Sequence, residues 1–228
     1  MSRIAADEAR ARDIRVDLIE IGAMVDPGSR VLDVGCGDGI LLEHLTRDRD
    51  VDARGIEISR EGVNAGVARG LSVVQGDADT DLVDYPTNSF DYVILSQTLQ
   101  TIHDTRDCLE QMLRIGKRAI VSFPNFGFWK VRLRLLFSGR MPNTKTLDHP
   151  WYNTPNIHLC TIRDFVDLCD ELGVAIERFH AIDRYGKPLT VQLPLRLANL
   201  FGDQGLFLLR FDGPRDVDNG PLYGRRES

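Results

Sequence analysis

Cysteine is sparse. The 228 residues hold four, Cys36, Cys108, Cys160 and Cys169, separated by 72, 52 and 9 positions. No two form a CxxC pair, which excludes the usual spacing of a structural zinc site or a thioredoxin-type redox centre. The expectation is four unpaired thiols in a reducing compartment. Long apolar runs are missing as well. None approaches the ~20 residues needed to cross a bilayer, and the opening MSRIAADEARARDIR is too charged for a secretory signal. A cytoplasmic protein with no transmembrane segment is expected. Basic charge is short: 28 Lys and Arg face 34 Asp and Glu, a formal net charge of −6. An acidic surface repels phosphate backbones, so no nucleic-acid partner is expected. No internal repeat is visible.

What is present is an ordinary globular mix, 43% hydrophobic and 27% charged. The length suits one domain burying roughly 70% of its unfolded surface. Apolar positions from Ile14 to Val25 fall on one stripe of a helix, which Asp26-Pro27-Gly28 ends. The period then changes. Short β-branched runs at 30–34, 54–58, 72–75, 90–96 and 117–123 read as strands of a buried parallel sheet. Helices lie between them: Gly39 to about Thr46 with Asp38 as a cap, one capped by Ser59, and one near 107–115. This alternation predicts a doubly wound α/β fold. Residues 125–160 interrupt it with Pro142, Pro150 and Pro155, an insertion of the kind that usually serves function. A helix capped by Thr161, a strand over 174–181 and a last strand over 205–211 follow. The expected organisation is an N-terminal helix or lid over 1–26, a domain over 27–212 carrying the 125–160 insertion, and a disordered tail over 213–228.

In such sheets ligands bind outside the carboxyl ends of the strands. Here those ends deliver Gly35-Cys36-Gly37-Asp38-Gly39, then Glu57, Gly76-Asp77-Ala78-Asp79, Ser96-Gln97-Thr98 and Pro124-Asn125. The glycines permit a sharp turn and close approach of a ligand to the backbone. Glu57, 18 residues after Gly39, has the spacing of an acid that meets ribose hydroxyls. Asp77 can accept a hydrogen bond from an exocyclic amine, with the Ala78 backbone beside the ring edge.

Two cofactors suit this edge, a nicotinamide dinucleotide and S-adenosylmethionine. A dinucleotide needs GxGxxG and a helix N-terminus facing its pyrophosphate. The third glycine falls one place early, at Gly39, and Asp38 sets a negative charge where the phosphates would lie. S-adenosylmethionine carries no phosphate and a positive sulfonium and amine. The charges favour S-adenosylmethionine, with S-adenosylhomocysteine as its demethylated form.

VLDVGCGDG, GIEIS, GDAD and FDYVILS together resemble the class I S-adenosylmethionine-dependent methyltransferases over roughly residues 28–123. LSQTLQTIHD, SFPNFGFWKVRLRLLFSGRMP, WYNTPNIHLCTIRDF and RYGKPLT…NLF resemble, more narrowly, the methionine biosynthesis protein MetW family over nearly the whole chain. The first resemblance implies a Rossmann-like, seven-stranded, mostly parallel sheet with an antiparallel last strand. It also implies Gly35 and Gly37 at the methionine part of the cofactor, Asp33 steadying the loop or the amine, and Glu57 on the ribose. Ile58 would pack on adenine, Asp77 and Ala78 would read its edge, and Ser96 and Gln97 would approach the amine. The MetW resemblance implies a role in methionine synthesis beside homoserine O-acyltransferase as a physical partner. It implies no methyl acceptor.

Methyl transfer from a sulfonium depends chiefly on placing the nucleophile, and only weak nucleophiles need a base. An Asn-Pro-Pro-Tyr type motif is absent; Ser96-Gln97-Thr98-Leu99 stands in its place. The acid/base candidates are His103, His149, His158, Tyr152 and Asn125, none with a partner visible in the sequence, so the catalytic residues stay open. Phe128–Phe137 interleaves Trp129, Leu133 and Leu136 at helical spacing with Lys130, Arg132 and Arg134, and no acid occurs from 126 to 147. It reads as a helix over the sheet edge with its basic stems snorkelling, a protein-docking face, or a membrane-surface helix. Two functions are compatible with all of this: a cofactor-binding protein that supports or regulates the acyltransferase, and an active methyltransferase on a small molecule.

Overall fold

Strand periodicity sends neighbouring side chains to opposite faces of a sheet, and here both faces are covered. The computed structural model describes residues 16–142, 144, 149–189 and 193–211. The expected tail over 213–228 and the first part of the N-terminal segment lie outside them. The elements run α1 (Val16–Met24), β1 (Arg30–Val34), α2 (Ile40–Arg49), β2 (Asp52–Glu57), α3 (Arg60–Ala68), β3 (Ser72–Gln75), β4 (Phe90–Ser96) and α4 (Thr105–Ile115). They continue with β5 (Gly116–Pro124), α5 (Trp129–Ser138), α6 (Ile162–Glu171), β6 (Val174–Ile182), α7 (Leu195–Phe201) and β7 (Gln204–Phe211). Seven strands form one sheet in the order β3-β2-β1-β4-β5-β7-β6. Strands β1 to β5 pair in parallel, and β7 runs antiparallel between β5 and β6. The doubly wound sheet with an antiparallel last strand is therefore as expected.

Alternate residues of each central strand feed two cores. Leu32, Val34, Val93, Leu95 and Phe207 pack with Leu109 and Met112 of α4 and Phe165 of α6 on one face. Val31, Ile94, Ile120 and Leu208 pack with Leu18 and Ile21 of α1 and Leu41 and Leu45 of α2 on the other. Phe123, Phe165 and Phe207 pack ring against ring, with centroids 4.7–5.8 Å apart.

Local signals set the helix starts. Ser59 accepts from the Gly62 N–H, Asp104 from Asp107, and Thr161 with Asp164 forms a reciprocal capping box. Asp38 stands one residue before the N-cap position of α2, where its carboxylate accepts only a long bond, 3.4 Å, from the Ile40 N–H. Gly39, at φ 80°, occupies that position with no side-chain cap, because the chain must turn through a left-handed residue to leave β1. Helix α7 is not evident in the sequence; it is seven residues long and starts directly after Pro194.

At the end of β5, Asn125 binds three segments together. Its amide nitrogen donates to the carbonyls of Asn199 and Gly202, and its oxygen accepts from the N–H groups of Gly127 and Ile162. Its own N–H donates to the Asp203 carbonyl, and the residue is 1% exposed. The insertion is closed at its base, where the Phe126 N–H meets the Cys160 carbonyl at 3.0 Å. The insertion's helix, α5, buries Val131 and packs Phe126, Phe128 and Leu135 inward. Its Trp129–Leu133–Leu136 stripe faces solvent, so it does not cover the sheet edge.

Asn125→Ala leaves several buried amide and carbonyl groups without partners, each costing about 1–3 kcal/mol. Urea denaturation is expected to register a loss of about 3 kcal/mol or more; a loss under 1 kcal/mol would contradict the role given to this side chain.

Candidate functional site

The strand order reverses between β1 and β4, which part to neighbours on opposite sides. Connections leaving a sheet in opposite directions open a crevice at the carboxyl ends. The glycine loop after β1 enters it. Gly35 and Gly37 have φ of 72° and 56°, values that non-glycine residues adopt only with strain. A side chain at Gly37 would meet nothing within 4 Å, so the loop presents bare backbone to an open space.

Glu57 holds that loop in place. One carboxylate oxygen accepts from the Gly37 N–H at 2.9 Å and the other from the Ser59 N–H at 2.8 Å. The end of β2, the loop after β1 and the cap of α3 thus meet on one side chain that is 8% exposed. Each oxygen keeps a further lone pair. Gly62 makes room for the arrangement: a methyl group there would stand 2.7 Å from Glu57 Cγ and 2.8 Å from the Gly37 carbonyl oxygen. Gly62 escaped the sequence reading, although a glycine inside a helix, where alanine is favoured, was a signal.

Above the loop lies a cavity of about 190 Å³. Asp33, Gly35, Gly37 and Ser96 line it, together with Cys36 and Asp38 of the same glycine loop and with Leu18, Ile40 and Leu41, which the sequence does not mark as site residues. Leu18 looked like ordinary core because it belongs to the apolar stripe of α1. The cavity is electrically negative. The Cys36 thiol, buried and near Asp33, Glu57 and Asp38, is pushed up to about 12 by burial first and then by those carboxylates. Arg69 lies at the outer side, pairing with Glu43 at 2.8 Å and Asp38 at 3.4 Å. Such a cavity suits a cation and opposes a phosphate.

The remaining expected residues continue along the same sheet edge, outside the cavity lining. Ile58 is 63% exposed beside Glu57. Asp77 accepts from the Asp79 N–H and donates its own N–H to Asp81, while Ala78 packs against the core. Gln97, at φ 56°, turns its amide to Gln204 at 2.9 Å. The Ser96 and Ser122 hydroxyls are 3.4 Å apart.

The acid/base candidates separate clearly. Asn125 is consumed in packing, and His149 and Tyr152 are exposed. His103 does have a partner: its Nδ1 lies 3.0 Å from Asp79, which also accepts the N–H groups of His103 and Asp104. These hydrogen bonds and the nearby His103 ring hold the Asp79 carboxyl below its ordinary range against the opposing effect of burial. His158 Nε2 reaches the His103 carbonyl at 3.2 Å, and the Ile157 and His158 N–H groups both donate to Gln100. The insertion is thereby tied to the turn after β4. No cluster of three metal-ligating side chains occurs among the described residues, and none of their helices is long and apolar enough to cross a membrane.

The sequence profile of the methionine biosynthesis protein MetW family matches residues 15–209. The chain belongs to the MetW family. It is 37% identical over 174 residues to the bifunctional methionine biosynthesis protein MetXA/MetW of Rhodopirellula baltica, covering 72% of this chain but 28% of that protein. Its fold resembles S-adenosylmethionine-dependent methyltransferases from Mesorhizobium loti (TM-score 0.62, 17% identity, 87% of this chain and 99% of that one) and Archaeoglobus fulgidus (TM-score 0.59, 18% identity, 90% and 93%). These likenesses establish the methyltransferase fold for this MetW-family chain, and the bifunctional relative associates the family with methionine biosynthesis.

All four thiols share the raised value of about 12, with burial as the largest cause in each. The folded protein is therefore expected to resist iodoacetamide at pH 8, while the denatured chain takes up four labels by mass spectrometry. From pH 9 towards 12 the unfolded chain releases thiol protons that the folded chain keeps, so stability falls as pH rises through that window. Rapid labelling of native Cys36 would contradict the buried, carboxylate-flanked setting of that thiol.

Proposed function

We propose that this chain binds S-adenosylmethionine or S-adenosylhomocysteine at the carboxyl edge of its sheet and, in that state, supports or regulates a homoserine O-acyltransferase. The carrying observation is the cavity lined by Asp33 and Asp38 over an open glycine backbone at the sheet's reversal point. The residues suit the group. Asp33 and Asp38 favour a sulfonium and an amine, and Gly37 admits close approach. At about 190 Å³ the cavity is smaller than the ~300–1,000 Å³ that encloses a drug-sized ligand. It takes the amino-acid end, with Asp33, Gly35, Gly37 and Ser96 around it and Gln97 on the adjoining turn. The nucleoside lies on the open rim, with Glu57 for the ribose hydroxyls and Ile58, Asp77 and Ala78 for adenine. When bound, S-adenosylmethionine supplies a transferable methyl group on a cationic sulfur. Leu18 of α1 and the stretch of the insertion around Ile157 and His158, bonded to Gln100 on the turn after β4, serve as the lid.

The partner follows from the family. The Rhodopirellula baltica relative carries MetXA and MetW in one bifunctional protein, and the MetW resemblance implies homoserine O-acyltransferase as the neighbour. Linkage makes any coupling reciprocal: a cofactor that alters partner affinity has its own affinity altered by the same factor.

A second reading, methyl transfer to a small molecule, is favoured by the Asp79–His103 pair. Asp79 fixes the ring at Nδ1 and leaves Nε2 outward on a side chain that is 79% exposed, where it can accept a proton from an acceptor. Steady formation of S-adenosylhomocysteine that His103→Ala abolishes would select this reading.

Glu57→Ala is expected to weaken S-adenosylmethionine binding by about 1.5–3 kcal/mol, the worth of a hydrogen bond to a charged group; calorimetry showing unchanged affinity would remove Glu57 from the site. Titrating purified homoserine O-acyltransferase with and without S-adenosylmethionine is expected to shift the partner's dissociation constant about fivefold or more. An identical constant in both titrations would sink the regulatory role.

A further inference from the structure

Helix α5 has two apolar faces and only one of them is covered. Val131 and Leu135 point inward with Phe128. Trp129, Leu133, Leu136 and Phe137, at i, i+4, i+7 and i+8, form a second stripe that faces out, with Leu136 74% and Phe137 80% exposed. A surface helix normally carries polar residues on its outer face, and a helix apolar all round is normally buried all round. Four large side chains along about 12 Å of one helix make a contiguous patch, not the scattered exposure common to protein surfaces.

Charge narrows what covers it. Lys130 and Arg134 flank the stripe on one side and Arg132 on the other, with no acid from 126 to 147 in a chain of net charge −6. The Lys130 ammonium sits 5.4 Å from the Trp129 ring centre, and Arg132 is pinned by its bond to the Gly127 carbonyl. A second copy would set these cations against themselves in a two-fold contact. An anionic bilayer would be repelled by the acidic remainder of the chain.

We propose that the outer face of α5 docks a partner protein through a contact groove with an apolar floor and an acidic rim. This assignment rests on the acyltransferase partnership proposed above and names the surface that serves it. Trp129 and Phe137 are the anchors, since aromatic side chains are enriched at the cores of protein contacts. The basic flank steers the approach. Through Asn125, α5 is fastened to the end of β5, on the sheet edge that carries the cavity.

The test uses the full chain and purified homoserine O-acyltransferase from the same source. Leu136→Ser with Phe137→Ser alters only outward side chains, so circular dichroism and cofactor affinity should stay as in the parent. Acyltransferase binding is expected to weaken about thirtyfold or more, the loss typical of hot-spot residues. Arg134→Glu provides an independent arm, expected to slow association and flatten its salt dependence. Undiminished binding by the double variant overturns the docking surface and leaves the partnership standing. No binding by the parent chain overturns the partnership and this assignment together. Retained acyltransferase binding, with loss either of a parent dimer in sedimentation or of adhesion to phosphatidylglycerol vesicles, gives the face to a second copy or to lipid and overturns the proposal.

Discussion

The site depends on one buried carboxylate. Glu57 accepts the Gly37 N–H with one oxygen and the Ser59 N–H with the other, so three segments that converge on one sheet edge are held in fixed relation. Hydrogen bonds to a charged group are worth roughly twice neutral ones, and a carboxylate that is 8% exposed has strong reason to keep them. Glycine is required on both sides of this contact. Gly37 turns the chain with a positive φ, and Gly62 leaves the room into which Glu57 and the loop settle.

Around that contact the fold supplies position and the carboxylates supply sign. The reversal of strand order between β1 and β4 places Asp33 and Ser96 on the same cavity, and Cys36 beneath it registers the negative field. A pyrophosphate would meet that field unfavourably, whereas a sulfonium and an amine are stabilised by it. The polar knot of Asn125 then ties the end of β5 to α6, α7 and the start of the insertion.

Much of this was legible in the sequence. Strands announce themselves by short β-branched runs, and β1, β3 and β4 have the bounds those runs set at Arg30–Val34, Ser72–Gln75 and Phe90–Ser96, although β3, at the edge of the sheet, is largely exposed and not buried as expected. The serine and threonine caps, the glycine loop and the acid that ends β2 are local features with local causes. What stayed hidden depends on contacts distant in the chain. Glu57 reads as a ribose ligand from its spacing, yet its grip on Gly37 crosses 20 residues. Asp79 and His103, 24 apart, look unrelated until the loops after β3 and β4 meet. Helical spacing placed Trp129, Leu133 and Leu136 on one face, but spacing alone does not say which side of a helix meets the core. Packing of Phe128 and Val131 decided that and left the longer stripe outside.

The most direct measurement is a crystal structure of the full chain grown with millimolar S-adenosylhomocysteine. The expected result is the amino-acid end of the ligand in the cavity beside Asp33 and Gly35, with the ribose hydroxyls within hydrogen-bond distance of Glu57. A nucleoside bound elsewhere, or an empty cavity at saturating ligand with the Gly37–Glu57 contact intact, would contradict the central claim.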